Sequence, residues 1–233
     1  MGEGAAVVTT GHSDSHRITR LFLVRHGESE WNRSSRYAGQ QDVPLSELGQ
    51  RQGERVAQRL AGERPTAIYT SPLERAKETA AIIGQVTGCP VTLEPDLAEI
   101  NHGLWEGLTA SEVRETFGSD YVRWRSQPHM MIMPRGESLA EVEARAQAAL
   151  HRILAEQPNG RVVVCSHDAV LRVLVLGCLR FPLEHFWCWS FQNASVSILE
   201  TGDEYASAPF RLVHLNDTAH LGGLCSEQTA QAL

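Results

Sequence analysis

Short apolar runs that alternate with amphipathic segments limit the fold of this chain more than any other feature of its sequence. The runs predict buried strands at about 21–24, 67–70, 91–93, 161–166, 195–199 and 210–213. The segments between them carry helical periodicity and capping residues, at about 46–61, 72–88, 139–154 and 168–179. Such alternation is typical of a mostly parallel sheet that is covered by helices on both faces. The sequence therefore predicts a single three-layer α/β/α domain.

The limits of this domain follow from where the pattern begins and ends. We expect a flexible leader over residues 1–18, the domain over 19–222 and a C-terminal tail over 223–233. The section 103–134 is less regular, and it predicts short helices laid over one end of the sheet. No internal repeat and no linker-like segment divides the chain.

Composition and charge exclude several other classes of protein. Of the 233 residues, 42% are apolar and 21% are charged, so the bulk of the chain is neither disordered nor a disulfide-stapled miniprotein. The net charge of −7 disfavours a broad nucleic-acid-binding surface. The five cysteines are scattered and odd in number, which favours free thiols in a reducing compartment. Because no membrane-spanning run and no export signal are evident, we expect a cytoplasmic protein without a membrane partner.

Reactive side chains follow four of the predicted strands near the point where each strand ends. Arg25 and His26 follow the first strand, and Arg75 lies shortly after the second. Glu99 comes shortly after the third strand, and His167 comes directly after the fourth. The carboxyl ends of parallel strands meet at one edge of a sheet, where α/β proteins bind their ligands. We therefore expect these five side chains to converge.

These residue types suit the transfer of a phosphoryl group. A neutral imidazole is a good nucleophile near pH 7, so His26 could attack phosphorus and form a phosphohistidine. The two arginines can bind phosphate oxygens bidentately, and His167 and the Asn32 amide could add further donors. Glu99 could protonate the leaving alkoxide and afterwards activate water. No metal-binding motif is present, so we expect neither a metal ion nor another cofactor.

Simpler interpretations stay open for two of these residues. Arg75 could be a surface helix residue that pairs with Glu74 or Glu78. Glu99 could be a solvated loop carboxylate, because Glu106 lies nearby in the sequence.

Four sequence blocks resemble those of the histidine phosphatase superfamily, in the same order along the chain. They read L-V-R-H-G-E-S at 23–29, P-L-S-E-L-G at 44–49, S-P-L-E-R-A at 71–76 and S-H at 166–167. The resemblance spans about residues 20–221 and implies a phosphoglycerate mutase-like fold. It also implies that His26 is the phosphorylated nucleophile and that Glu99 is the proton donor. The phosphate clamp would then consist of Arg25, Arg75 and His167.

Within the superfamily, the chain is most similar to the metal-independent phosphoserine phosphatases. The similar stretches are E-x-x-H-G at 99–103, N-A-S at 193–195 and L-N-x-T-x-H-L-G at 215–222, and the Arg-His-Tyr-Gly stretch of the cofactor-dependent mutases is absent. The resemblance implies that His102 and His220 line the substrate end of the pocket, and structural hydrogen bonding stays an open alternative for both. Asn32 and Gly39 are further candidates for binding substrate. We expect the segment around His220 to close over the pocket as a lid. Asp168 stands where many relatives have glycine, and we interpret it as the N-cap of the following helix.

The expected function is that of a metal-independent phosphomonoester hydrolase, with L-phosphoserine as the favoured substrate. Alternatives are a broader phosphatase acting on sugar phosphates, phosphoglycerates or α-ribazole phosphate, a phosphoglycerate mutase, and a non-catalytic phosphate-binding scaffold. The expected partner is a small phosphorylated metabolite. The aromatic segment 186–191 predicts core packing or a subunit interface, which leaves a homodimer open.

Overall fold

The computed structural model describes residues 18–202 and 209–226. Within these ranges the strands are β1 (Ile18–Arg25), β2 (Ala67–Thr70), β3 (Val91–Leu93), β4 (Arg161–Ser166), β5 (Val196–Gly202) and β6 (Arg211–Asp217). The helices are α1 (Glu30–Arg33), α2 (Glu47–Ala61), α3 (Glu74–Thr87), α4 (Ala110–Thr116), α5 (Gly118–Ser126), α6 (Leu139–Glu156) and α7 (Asp168–Leu179). Short 3₁₀ helices lie at Pro95–Leu97, Gly103–Trp105, Pro128–Met130, Leu183–His185 and Ala219–Leu221. Apart from Ile18, the expected leader lies outside the described residues, as does 227–233 of the expected tail.

The strands form one sheet in the order β3-β2-β4-β1-β5-β6. The neighbouring strands β3, β2, β4 and β1 run parallel to one another. Beyond β1, β5 pairs antiparallel with β1, and β6 pairs antiparallel with β5. This sheet confirms the prediction of a single, mostly parallel α/β domain. No helix in the described ranges is both long enough and apolar enough to cross a membrane.

Successive residues of β1 face opposite sides of the sheet, and each side has its own core. Leu21 and Leu23 pack in a cluster that includes apolar residues of α6 and α7. Phe22 and Val24 pack in a second cluster, which includes apolar residues of α2 and α3. Because strand side chains alternate in direction, one continuous apolar strand supports both helical layers. The predicted three-layer arrangement is thereby confirmed.

The structure corrects three local predictions. α3 begins at Glu74 rather than at Pro72, because the Leu73 amide donates to the Ser71 hydroxyl in a turn that precedes the helix. β3 is exposed along its whole length, since it lies at the edge of the sheet and pairs only with β2. β6 extends to Asp217, beyond the predicted end at 213, because its backbone continues to pair with β5 where its side chains are polar.

Two glycines allow α2 to dock against the loop that follows β1. A Cβ atom on Gly49 would lie 2.0 Å from the Glu28 carbonyl oxygen, and one on Gly27 would lie 2.4 Å from the Gly49 oxygen. Ser46 caps α2 by accepting from the Gly49 amide at 3.1 Å, and its hydroxyl donates to Glu28 at 2.8 Å. The helix N-terminus is therefore fixed directly behind the residues that follow β1.

Candidate active site

Loops that follow the parallel strands enclose a polar pocket of about 290 Å³, counting space that is open to solvent. The residues that line it are Arg25, His26, Asn32, Ala38, Gly39, Arg75, Glu99 and His102. Every residue that the sequence predicted for the site is among them except His167 and His220. Ala38 was not predicted, because a small apolar residue in a loop carries no recognisable pattern. The expected convergence of distant segments is therefore observed.

His26 is held as a neutral imidazole with a defined tautomer. Its backbone amide donates to the Ser166 carbonyl, and its Nδ1 lies 2.6 Å from the Gly27 carbonyl oxygen. A carbonyl can only accept, so Nδ1 carries the proton and the Nε2 lone pair faces the Arg75 Nε–H at 3.2 Å. Burial lowers the pKa of His26 well below its usual value, and the charges of Arg75 and Arg25 lower it further. The ring can therefore act as a nucleophile through Nε2.

Arg75 is buried, with only 1% of its surface exposed, although it belongs to the first turn of α3. Its guanidinium donates to the carbonyls of Gln41 and Gly39 at 2.9 and 2.8 Å. Burial lowers the pKa of Arg75 to about 10, so the side chain stays charged at neutral pH. The surface alternative is wrong: Glu74 pairs with a lysine, and Glu78 accepts from the Leu45 amide.

Arg25 is anchored through the aromatic loop that follows α7. Its Nη1 donates to the Phe191 carbonyl, while the Phe191 amide donates to the Asp168 carboxylate at 3.2 Å. The other Asp168 oxygen accepts from Arg172 at 3.0 Å. The N-cap of α7 is His167, so the interpretation of Asp168 as that cap is wrong. Its carboxylate instead turns inward and organises the backbone that holds Arg25.

His167 lies beside His26, with the two ring centroids 5.0 Å apart. Its Nε2 is 2.7 Å from the Ser71 hydroxyl, and its Nδ1 has no partner among the described residues. Burial lowers the pKa of His167 well below its usual value, and the nearby Arg75 charge lowers it further. A second neutral imidazole therefore adjoins the nucleophile without lining the open part of the pocket.

Glu99 is buried at the pocket, with 7% of its surface exposed. One of its carboxylate oxygens accepts from the Ile100 amide at 2.9 Å. Burial raises the pKa of Glu99 above its ordinary value, and this outweighs the opposing effects of that hydrogen bond and of the Arg75 charge. A carboxyl group in this setting retains a proton to higher pH than a solvated one.

Glu106 has a different place, behind the turn that borders the pocket. Its carboxylate accepts from the backbone amides of Gln40 and His102, at 2.9 and 3.2 Å. It also accepts from the Gln41 side chain at 2.6 Å. The turn carrying Gly39 is therefore tied to the loop of His102, and Glu106 is absent from the pocket wall.

His102 and Asn32 line the pocket on different sides. The His102 ring is buried against Tyr37 and Trp124, at centroid distances of 5.0 and 6.1 Å, and burial lowers its pKa to about 3. The Asn32 carbonyl oxygen accepts from the Ser29 amide and hydroxyl and from Asn193, at 3.0 to 3.2 Å. Because that oxygen is fully used, the amide nitrogen is the end of Asn32 that can serve a ligand.

The structure does not bring His220 to the pocket. Its Nε2 bonds the Ala194 carbonyl at 2.9 Å, in a 3₁₀ helix that packs near α2. The next residue, Leu221, is buried in the core beside α2, and the Leu224 carbonyl accepts from Gln52 of that helix at 2.9 Å. The expectation of a lid is therefore wrong for the described residues through Ser226. The apolar contacts of Leu221 hold the segment against α2 instead of over the pocket.

No cysteine lines the pocket. All five cysteines are free, as their number and spacing predicted, and Cys165 and Cys178 are buried in the core. In the part of the chain that the structure describes, no group of three or more His, Cys, Asp or Glu side chains is arranged to hold a metal ion.

Known proteins resemble this chain over most of its length. The family model of the histidine phosphatase superfamily (branch 1) matches residues 21–218. Phosphoserine phosphatase 1 of Hydrogenobacter thermophilus is 38% identical over 88% of this chain and 95% of that protein. The metal-independent phosphoserine phosphatase of Arabidopsis thaliana is 35% identical over 80% of this chain and 78% of its own. A protein of Photorhabdus laumondii named "Probable phosphoglycerate mutase GpmB" is 38% identical over 77% of this chain and 84% of its own.

Solved structures share the fold. Bacillus stearothermophilus YhfR superposes with a TM-score of 0.81 at 33% identity, covering 87% of this chain and 99% of its own. A mycobacterial glucosyl-3-phosphoglycerate phosphatase gives a TM-score of 0.80 at 30% identity, over 87% of this chain and all of its own. The α-ribazole phosphatase of Shigella flexneri gives 0.76 at 25% identity, over 85% and 96%.

Proposed function

The chain belongs to the histidine phosphatase superfamily and is a phosphatase. From that premise we propose that it hydrolyses small phosphomonoesters through a phosphohistidine at His26. The observation that carries this proposal is the His26 ring itself. Its Nδ1–H is fixed on the Gly27 carbonyl, so Nε2 carries the nucleophilic lone pair, and the Arg75 Nε–H that now donates to it at 3.2 Å must turn to the phosphoryl oxygens when substrate binds. Metal-independent hydrolysis and a cytoplasmic location stay predictions of the sequence, and a homodimer stays an open alternative.

The first step replaces a phosphorus–oxygen bond with a phosphorus–nitrogen bond. Nε2 of His26 attacks phosphorus, and the ester oxygen leaves with the bonding electron pair. Glu99, whose raised pKa favours the protonated form, gives its proton to that oxygen. The developing charge on the phosphoryl oxygens is met by Arg25, Arg75 and His167, and each fixed donor contributes about 2.7–4 kcal/mol.

The second step returns the nucleophile to its starting state. A water molecule attacks the phosphohistidine, and the Glu99 carboxylate takes a proton from it. The phosphorus–nitrogen bond breaks, its electron pair returns to Nε2 of His26, and inorganic phosphate leaves. One carboxyl group thus serves as acid and then as base. Between the two steps its negative charge is stabilised by the positive charges of Arg75 and Arg25.

L-phosphoserine is the substrate that we favour. The relatives from Hydrogenobacter thermophilus and Arabidopsis thaliana are named phosphoserine phosphatases. The pocket is small, and the buried imidazole of His102 lines it, so we propose that His102 contacts the part of the substrate beyond the phosphate. His220 has no part in this proposal. The solved relatives named for glucosyl-3-phosphoglycerate and α-ribazole support a broader phosphatase as the second candidate, and the relative named a mutase supports a third.

A substrate panel tests the proposal. We expect kcat/KM for L-phosphoserine to exceed the values for 3-phosphoglycerate, fructose 6-phosphate and α-ribazole phosphate by about tenfold or more. Phosphate release without exchange between 2- and 3-phosphoglycerate would separate a hydrolase from a mutase. His26→Ala should abolish turnover and phosphoenzyme formation at an unchanged melting temperature, while His151→Ala, at an exposed site on α6, should change neither. Normal turnover by His26→Ala would refute the nucleophile, and a flat panel would refute the substrate.

A further inference from the structure

The segment that carries Glu99 is bound at three carbonyls by one side chain from a distant helix, while Gln40 donates to the Glu99 carbonyl from the opposite loop. Residues 98–101 have no helix or strand of their own and follow the 3₁₀ turn at Pro95–Leu97. Arg145, on α6, donates through Nη1 to the carbonyls of Asp96 and Ala98 and through Nη2 to that of Glu99 at 3.0 Å. One guanidinium therefore binds three carbonyls around the candidate proton donor.

Glu137 holds the same guanidinium from the other side. Its carboxylate oxygens pair with the Arg145 Nε and Nη2 atoms at 2.9 and 3.0 Å. One of these oxygens also accepts from the Asn101 amide at 2.8 Å, and the Glu137 amide donates to the Asn101 carbonyl at 2.9 Å. The clamp thus grips the segment on both sides of Glu99. Both side chains are mostly buried, with 16% and 23% exposed.

We propose that Arg145 is a positioning residue for proton transfer: by binding the backbone of residues 96–99, it holds the Glu99 carboxyl in the pocket. This inference rests on the proposed role of Glu99. Arg145 does not line the pocket, so it acts through the backbone and not on substrate. Arginine suits the task because its planar fork can serve several carbonyls and a carboxylate at once, whereas a lysine ammonium is a single point.

The test compares a substrate that needs a proton with one that does not. Serine leaves as a poor alkoxide, whereas nitrophenolate leaves unaided. Because a misplacement of about 1 Å can cost about 100-fold, we expect Arg145→Met to lower kcat/KM for phosphoserine about 10- to 100-fold. Its kcat/KM for nitrophenyl phosphate, which ends at departure of the leaving group and so excludes the later water attack, should stay within about threefold of the parent. Glu137→Gln keeps the bond to Asn101 but removes the charge. It should also slow phosphoserine more than nitrophenyl phosphate, but by less than Arg145→Met does.

Arg152 provides the matched control. It lies on the same helix, and its guanidinium pairs with the side chains of Glu94 and Asp96 rather than with backbone carbonyls of the segment. Arg152→Met should leave kcat/KM unchanged for phosphoserine and for nitrophenyl phosphate. All variants are checked by thermal melting, and if Arg145→Met fails to fold, Arg145→Lys and Glu137→Gln decide the question.

The outcomes separate this inference from the proposed function. Folded Arg145 and Glu137 variants that slow both substrates equally, or neither, would overturn the positioning role. Glu99→Gln serves as the reference: it should slow phosphoserine hydrolysis selectively, and adding Arg145→Met to it should cost little more. Equal losses of kcat/KM on both substrates with Glu99→Gln would instead overturn the role of Glu99 as proton donor, whereas an equal loss confined to kcat reports its role as base in the shared second step.

Discussion

Removing the negative charge of Asp168 should destabilise the protein far more than removing an exposed charge. Asp168 and Arg172 form an ion pair whose side chains are only 1% and 5% exposed, with 3.0 Å between Nε and Oδ2. Arg172 also donates to the Phe186 carbonyl at 2.9 Å, and Asp168 accepts from the Phe191 amide. The pair therefore joins α7 to the aromatic loop at a site that water does not reach.

Asp168→Asn keeps the shape of the side chain but leaves the Arg172 guanidinium buried without a counter-charge. Breaking a buried pair in this way costs about 3–5 kcal/mol. For a domain of this size, each kcal/mol lowers the melting temperature by about 2–4 °C, so the midpoint should fall by about 6–20 °C. The double variant Asp168→Asn/Arg172→Met should lose less stability than the sum of the two single losses, because no buried charge is then left without a partner.

Thermal and urea unfolding of the two single variants and the double variant measure this coupling. Lys77→Met, which removes one partner of an exposed pair with Glu74, should leave the midpoint nearly unchanged. The reasoning is refuted if Asp168→Asn unfolds within about 1 kcal/mol of the parent, or if the two changes simply add. Inhibition by orthovanadate should weaken in Asp168→Asn, because the single amide oxygen cannot serve both Arg172 and the Phe191 amide, and the Phe191 carbonyl holds Arg25.

Three further predictions concern the site. Activity should survive excess EDTA, because arginine and histidine donors meet the phosphoryl charge; loss of activity that magnesium restores would contradict this. The kcat/KM for phosphoserine should fall as pH rises through the raised pKa of Glu99, whereas the lowered pKa of His26 keeps the nucleophile neutral toward acid pH. The kcat/KM for nitrophenyl phosphate should lack the basic limb, and identical kcat/KM profiles for the two substrates would count against the acid role. Gly49→Ala should destabilise by about 1–3 kcal/mol in urea unfolding, since its Cβ would lie 2.0 Å from the Glu28 oxygen; Gly118→Ala, with open space around it, should not.

The sequence was informative wherever the determining interaction is local. β1, β2 and β4 are short apolar runs buried on both faces, so their length and composition located them. Ser46 and Ser138 cap α2 and α6, and such capping residues mark helix starts in the sequence because capping depends on residues only three positions apart. The residues that follow these strands then converge by topology, since parallel strands deliver their carboxyl ends to one edge.

The predictions that failed depended on contacts between distant segments. His220 matched a family stretch, but Leu221 beside it is buried against the core next to α2, and that apolar contact decides where the segment lies. Asp168 has the residue type and approximate position of an N-cap, yet Arg172 and the Phe191 amide compete for its carboxylate and win. A short polar side chain can satisfy either demand, and the sequence does not say which partner is present.

The contacts that place the candidate catalytic groups are hidden from sequence reasoning, although Arg25 and Arg75 themselves were predicted. Arg145 binds the carbonyls of Asp96, Ala98 and Glu99, Arg75 binds those of Gly39 and Gln41, and Arg25 binds that of Phe191. A backbone carbonyl is present at every residue, so these contacts impose no residue type on the partner and leave no paired pattern. A buried guanidinium that binds backbone also keeps its geometry when neighbouring side chains change. Substrate preference can therefore vary along the pocket wall while the reacting groups stay in place.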